Sequence, residues 1–197
     1  IRGKIREKLR EFKSFEEKDN EEWFSELCFC ILTANSRAKT AINIQKEIGF
    51  KGFSSLPRNK LSQIIKDNKH RFHNNKAKYI IEARKHKKIK SHISKLINDN
   101  GSSEAREWLV MNIKGIGYKE ASHFLRNTGH EDVAILDRHI LNLLNEHGII
   151  YQIPKTLKKD LYLDIEDKFN KISILLNMTP AELDLHLWFL KTGEVLK

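Results

Sequence analysis

The chain is poor in cysteine, glycine and proline, and each shortage removes a class of protein. Cys28 and Cys30 are the whole thiol inventory of 197 residues. They stand two apart in a run of helical character, where side chains diverge and a disulfide is geometrically awkward. A four-cysteine zinc or iron–sulfur site cannot be built from them within one chain. Nine glycines and three prolines are too few for the many turns of an all-β fold. No apolar run approaches the roughly 18 residues of a membrane span, and a mean hydropathy of −0.54 argues the same way. The amino-terminal IRGKIREKLREF is charged and amphipathic without an apolar central stretch, so it does not read as a signal peptide. His70 and His73 stand three apart, but nothing around them suggests a complete ligand set, so no metal is expected.

What is present is charge of one sign and helical rhythm. Lys and Arg number 36 against 26 Asp and Glu, a formal charge of +10, while 40% hydrophobic residues suffice for a core. These proportions describe an all-α, basic, intracellular protein whose partner is a polyanion. Residues 21–34, EEWFSELCFCILTA, are apolar almost all round and predict a helix buried on most sides, opened by acidic residues that suit its N-terminus. A helix over 37–48 follows, with Ala41, Ile42, Gln45 and Ile48 inward. Leu61, Ile64 and Ile65 mark a short helix after Pro57, and another begins at Ala77 after a polar loop of His73, Asn74 and Asn75. Asn100-Gly101 stops one helix and Ser102-Ser103-Glu104 starts the next. Leu157, Leu161, Ile165 and Phe169 keep a four-residue rhythm, and Thr179-Pro180-Ala181-Glu182 predicts a capping box with proline at the first helical position. The run EDVAILD is the only strand-like piece, and it delivers Asp137 to the start of a helix over 138–147.

Between two predicted helices lies Ile113-Lys114-Gly115-Ile116-Gly117-Tyr118-Lys119-Glu120-Ala121. Two glycines around one apolar residue permit positive φ and close backbone approach. Their amides lead into a helix N-terminus, an anion site fit for a phosphate. Lysines on both sides and the +10 charge direct that site toward nucleic acid. Lys119, two residues into the second helix, meets unfavourable positive potential there, which should make its amine easier to neutralise, as Schiff-base chemistry requires. Asp137 caps the helix it precedes, and a capping carboxylate that also faces a cleft can stabilise positive charge developing there.

Gly115-Ile116-Gly117-Tyr118-Lys119-Glu120-Ala121, with Ala134-Ile135-Leu136-Asp137-Arg138-His139 following eighteen residues beyond the lysine, resembles the helix–hairpin–helix DNA glycosylase superfamily, the relatives of endonuclease III. Ile31-Leu32-Thr33-Ala34-Asn35-Ser36-Arg37 is similar to the segment after that superfamily's first barrel helix, and Phe72-His73-Asn74-Asn75-Lys76-Ala77-Lys78 to its second DNA-facing loop. A lysine at 119 resembles the bifunctional members, the absent four-cysteine cluster departs from endonuclease III itself, and the ending LWFLKTGEVLK resembles the archaeal-type 8-oxoguanine DNA glycosylase/AP lyase branch.

The resemblance implies two all-α domains with a DNA-binding cleft between them: residues 20–131 as a helical barrel ending in the hairpin, and residues 1–19 joined to 132–197. It implies a bifunctional enzyme that excises 8-oxoguanine from double-stranded DNA and nicks the strand. The competing readings are a glycosylase for oxidised pyrimidines and a non-catalytic helix–hairpin–helix DNA-binding module. Lys119 and Asp137 would be catalytic. Asn35, Arg37, Asn75, Lys76, Gly115 and Gly117 would touch DNA. His123, Trp188 and Lys197 would form the base pocket, with Trp188 matching a C-terminal aromatic and Lys197 the terminal residue. The resemblance further implies a monomer in the cytoplasm or nucleoid, without an iron–sulfur cluster or other cofactor, and with room at the hairpin carbonyls for a monovalent cation.

Overall fold

In the computed structural model, which describes residues 1–197, the chain forms eleven α-helices and no strand. They are α1 (Arg2–Lys13), α2 (Asn20–Thr33), α3 (Ala38–Ser55), α4 (Arg58–Asp67), α5 (His73–Ala83) and α6 (Ile89–Asn100). After these come α7 (Ser102–Asn112), α8 (Tyr118–Asn127), α9 (Arg138–Glu146), α10 (Lys159–Leu175) and α11 (Pro180–Thr192).

Asp19 starts the helix around which the others assemble. Its side chain accepts the Glu22 amide at 2.9 Å, and Glu22 accepts the Asp19 amide at 3.3 Å, so two otherwise orphaned donors are satisfied reciprocally. Every residue of α2 from Trp23 to Thr33 is buried, as the all-round apolar pattern predicts. The largest apolar cluster forms about it and extends along the chain to Val133. A second cluster begins at the next residue, Ala134, and joins Leu136, α9, Tyr162, Ile165 and Phe169 of α10, and Leu183 of α11. A third, smaller one packs Ile5 and Phe12 of α1 on Leu185 of α11.

The structure differs from the sequence reading at several places. Helix α3 runs on past Ile48, but Gly49 breaks it at φ +68, so the predicted helix is followed by a further short one. His73, Asn74 and Asn75 are the first turn of α5 and not a loop. On α10 Ile165 and Phe169 are buried as the rhythm predicts, but Leu161 is exposed and its neighbour Tyr162 is buried in its place. Thr179 caps α11 by accepting the Glu182 amide at 3.1 Å, but its partner across the surface is Glu131, whose Oε2 accepts the Thr179 hydroxyl at 2.9 Å.

Candidate active site

Residues 133–137 belong to no helix or strand, and their side chains alternate between two sides. Ala134 and Leu136 enter the second apolar cluster. Val133, Ile135 and Asp137 share the other parity: Val133 closes the first cluster, and Ile135 and Asp137 line a recess. Asp137 then caps α9, its Oδ1 accepting the Ile140 amide at 2.9 Å. The cap predicted from sequence and the exposure to a cleft coexist in one carboxylate.

Facing it is the hairpin. Gly115 adopts φ +86, and a Cβ there would stand 2.5 Å from the Tyr79 ring, so this turn admits only glycine. The Gly115 amide has no partner within the chain. The Gly117 amide, by contrast, donates to Glu120 Oε2 at 3.2 Å, which removes it from the expected phosphate clamp. Glu120 Oε1 also holds the Lys119 amine at 2.9 Å, and the Lys119 side chain is 26% exposed.

Two recesses adjoin here. One is lined by Thr33, Lys119, His123, Asp137, Asp184, Trp188 and Lys197 among others. The other runs along Asn35, Tyr118, Glu120, Arg138 and Lys155. Lys119 and Asp137 are the only residues common to both. They form the ridge between them.

The first recess carries unspent hydrogen-bonding capacity. His123 Nε2 and Trp188 Nε1 are buried without a partner, although buried polar atoms are nearly always paired. His123 packs edge-on against Phe29 with centroids 5.5 Å apart, and Trp188 against His139 at 4.9 Å. Burial, and then the cations of Arg126, Lys119 and Lys197, hold the His123 imidazole well below its ordinary value, so the ring is neutral at neutral pH. Burial pushes the Asp184 carboxyl up to about 7, with Arg126 pulling it down and Asp137 pushing it further up. Lys197 places its amine on Glu26 at 2.6 Å and over the Phe29 ring at 4.4 Å.

The remaining predicted DNA contacts divide. Asn35, Arg37 and Asn75 are exposed, and Asn35 takes φ +58, a left-handed conformation asparagine tolerates better than most residues. Lys76 is only 4% exposed and donates to Ile31 O at 2.7 Å. It is therefore turned away from any phosphate, and burial lowers its amine to about 8. His70 stands beside it, bonding Leu32 O through Nε2 at 2.9 Å and accepting the Phe72 amide on Nδ1 at 3.1 Å. Both of its nitrogens are thus occupied by backbone, and with Lys76 it satisfies the last carbonyls of α2 just before the Asn35 turn.

Sequence reasoning missed Glu26, Glu120, Arg126, Tyr162, Glu166 and Asp184. Only Glu120 carried a local signal, three residues after the glycine that precedes α8.

The family model described as 8-oxoguanine DNA glycosylase matches residues 5–178. The 8-oxoguanine DNA glycosylase/AP lyase of Methanocaldococcus jannaschii is 54% identical over 197 residues, which are 100% of this chain and 93% of that protein. A crystal structure of the M. jannaschii 8-oxoguanine glycosylase/lyase in complex with a 15mer DNA containing 8-oxoguanine matches with a TM-score of 0.96 at 53% identity, covering 100% of this chain and 93% of the other. The crystal structure of the 8-oxoguanine DNA glycosylase of Thermotoga maritima matches with a TM-score of 0.91 at 43% identity, covering 98% and 91%.

Proposed function

The chain belongs to the 8-oxoguanine DNA glycosylase family, and from that membership we infer that it is an 8-oxoguanine DNA glycosylase/AP lyase in which Lys119 and Asp137 do the chemistry. The observation that carries the assignment of residues is the ridge: Lys119 and Asp137 alone belong to both recesses. A nucleotide rotated out of the duplex has its base on one side of C1′ and its sugar–phosphate on the other, so C1′ lies on that ridge.

The first recess takes the base. Trp188 and His123 line it, and contact of their rings with a purine offsets the few kcal/mol lost on unstacking. The second recess takes the backbone, with Arg138 and Lys155 exposed along it. Asn35, Arg37, Asn75 and the free Gly115 amide face the duplex. Excess positive charge supplies docking affinity.

As the glycosidic bond weakens, the sugar gains oxocarbenium character, and the Asp137 carboxylate stabilises it. The Lys119 amine, released from Glu120 and deprotonated, attacks C1′ with its lone pair. The C1′–N9 bond breaks, its electrons leave with the purine, and the purine takes up a proton. Ring opening of the sugar gives the Schiff base between Nζ and C1′. Loss of a C2′ proton then expels the 3′ phosphate and nicks the strand.

No step of this sequence requires an organic cofactor or a metal ion. The carbonyl oxygens of Lys114, Gly115 and Ile116 accept no hydrogen bond, and as hard oxygen donors they would be the groups to hold a monovalent cation at the hairpin. The protein works as a monomer on intracellular DNA.

Borohydride trapping tests the reading. On a duplex with 8-oxoguanine opposite cytosine, the native chain should give a covalent complex, and undamaged duplex and Lys119→Gln should give none. Trapping that survives Lys119→Gln would move the nucleophile elsewhere. A covalent complex with thymine-glycol duplex in preference to 8-oxoguanine would overturn the lesion assignment.

A further inference from the structure

Residues 133–137 form neither helix nor strand and are largely buried, and there is no strand beside them. Their amides and carbonyls must be satisfied by something else. One bond is local, the Asp137 amide donating to Ile135 O at 3.0 Å; at Ala134 and Leu136 the partners are two side chains of α10. The Tyr162 hydroxyl donates to Ala134 O at 2.7 Å and lies 3.4 Å from the Leu136 amide. Glu166 Oε1 accepts the Ala134 amide at 3.0 Å.

The same two side chains also grip the hairpin. The Tyr162 hydroxyl is 3.3 Å from Ser122 Oγ, and Ser122 stands on α8 one turn beyond Lys119. Glu166 is ion-paired with Arg106 of α7, which itself reaches Ser122 Oγ at 3.3 Å. Asp137 makes no hydrogen bond to α8; its own bonds go to Ile135, Ile140 and Leu141. Two hydrogen-bonded routes therefore join the helix that carries Lys119 to the segment that ends in Asp137: the direct one through the Tyr162 hydroxyl, which links Ser122 to Ala134 and Leu136, and a longer one through Glu166 and Arg106.

We propose that Tyr162, supported by Glu166, is a positioning residue for base excision: its hydroxyl sets the Asp137 carboxylate against Lys119 by tying Ala134 and Leu136 to Ser122. The proposal rests on the catalytic reading of Lys119 and Asp137 given above. Packing alone does not call for this residue, since phenylalanine would fill the same space. The hydroxyl at 0% exposure is what requires partners, and burial holds the phenol well above its ordinary value, so it keeps its proton and donates through the neutral range. Reactive geometry is sensitive to this kind of support, because a misplacement of about 1 Å costs on the order of 10²-fold in rate.

A double-mutant cycle tests it, using single-turnover excision of 8-oxoguanine and the dissociation constant for lesion duplex. Tyr162→Phe should lower the excision rate constant by about tenfold or more while leaving the dissociation constant within about twofold. In the Asp137→Asn background the same change should cost less than about twofold, because a residue acting through the carboxylate has nothing left to position. Equal losses in the two backgrounds would mean general weakening of the fold and overturn the proposal, as would an unchanged rate in Tyr162→Phe. Full activity in Asp137→Asn itself would instead overturn the catalytic reading on which the proposal stands. Should Tyr162→Phe fail to fold, Ser122→Ala takes its place under the same criteria, since it cuts the tie only on the α8 side.

Discussion

Replacing Asp137 by asparagine separates the two tasks of that side chain. As a cap, asparagine serves as well as aspartate, and its amide oxygen can accept the Ile140 amide that Oδ1 now accepts at 2.9 Å. The only helix cost is the lost charge at the N-terminus of α9, about 0.3–1 kcal/mol. As an electrostatic group the loss is larger. A carboxylate about 4 Å from a unit positive charge contributes about 4 kcal/mol at an effective dielectric constant of about 20. At about 1.4 kcal/mol per factor of ten, full charge development corresponds to roughly 10³ in rate. Asp137→Asn should therefore lower single-turnover excision by about two to three orders of magnitude, shift the melting temperature by only a few degrees, and leave affinity for lesion DNA nearly intact. Alkali-developed cleavage of 8-oxoguanine duplex measures the first, and anisotropy of labelled duplex the last. Asp184 supplies an internal check, because Asp137 helps to push its carboxyl up and the substitution should bring it down, as carboxyl-resolved NMR would register. A variant with native turnover would leave Asp137 as a cap alone. One whose binding fell as far as its rate would show that the carboxylate acts in the ground state.

Lys119→Gln should abolish the borohydride-trapped species while retaining lesion binding within a few-fold, as electrophoretic mobility shift measures; retained trapping would contradict the assigned nucleophile. Affinity for duplex should fall by orders of magnitude between about 50 and 200 mM salt if several phosphates are neutralised, and a flat response in a titration would exclude phosphate-dominated docking. Lys76, lowered to about 8 by burial from 10.5, binds fewer protons in the folded than in the unfolded chain between those values. Stability from this site therefore rises with pH across that window, by roughly 3 kcal/mol when it is complete. Lys76→Met should remove the rise: urea melts at pH 7.5 and 10 should show the native chain gaining stability relative to the variant, and parallel behaviour would refute the buried amine.

The parts of the site legible in the sequence are those whose cause is local. The glycines at 115 and 117, the lysine behind them and the aspartate that closes an apolar extended run are each a short pattern with a backbone requirement, and the structure puts Lys119 and Asp137 on one ridge. The α2 helix was legible for the same reason, since eleven buried residues in succession leave their mark in composition. What was not legible depends on partners far along the chain. Lys76 sits in a stretch rich in Asn and Lys that looks like a surface, and only the α2 carbonyl at Ile31, 45 residues earlier, turns it inward. Arg126 and Asp184 are 58 residues apart, and Arg106 and Glu166 are 60 apart. No spacing within one helix announces such pairs.

The segment 133–137 shows how a local pattern can state a demand without naming what meets it. Val133-Ala134-Ile135-Leu136 reads as a strand, and in an otherwise helical chain no second strand-like run exists to pair with it. Buried backbone outside helix and sheet must find donors and acceptors within its own turns or on side chains, so polar groups on a helical face packed against it were to be expected. Tyr162 and Glu166 are four residues apart on α10, hence on one face, with Ile165 and Phe169 beside them in the second apolar cluster. An acid and a phenol inside an apolar stripe are costly unless satisfied, and each here is satisfied by the backbone at Ala134. The arrangement answers two requirements with one set of bonds: it supplies partners for the backbone of Ala134 and Leu136, and by reaching Ser122 and Arg106 it fixes that segment to the hairpin. Glu166→Leu should therefore do more harm than its volume suggests, leaving the buried Arg106 charge without its carboxylate and the Ala134 amide without an acceptor, at a cost of about 3–5 kcal/mol for the charge alone. Differential scanning calorimetry would measure that loss, and a variant as stable as the native chain would show that the α10 side chains do not hold the segment.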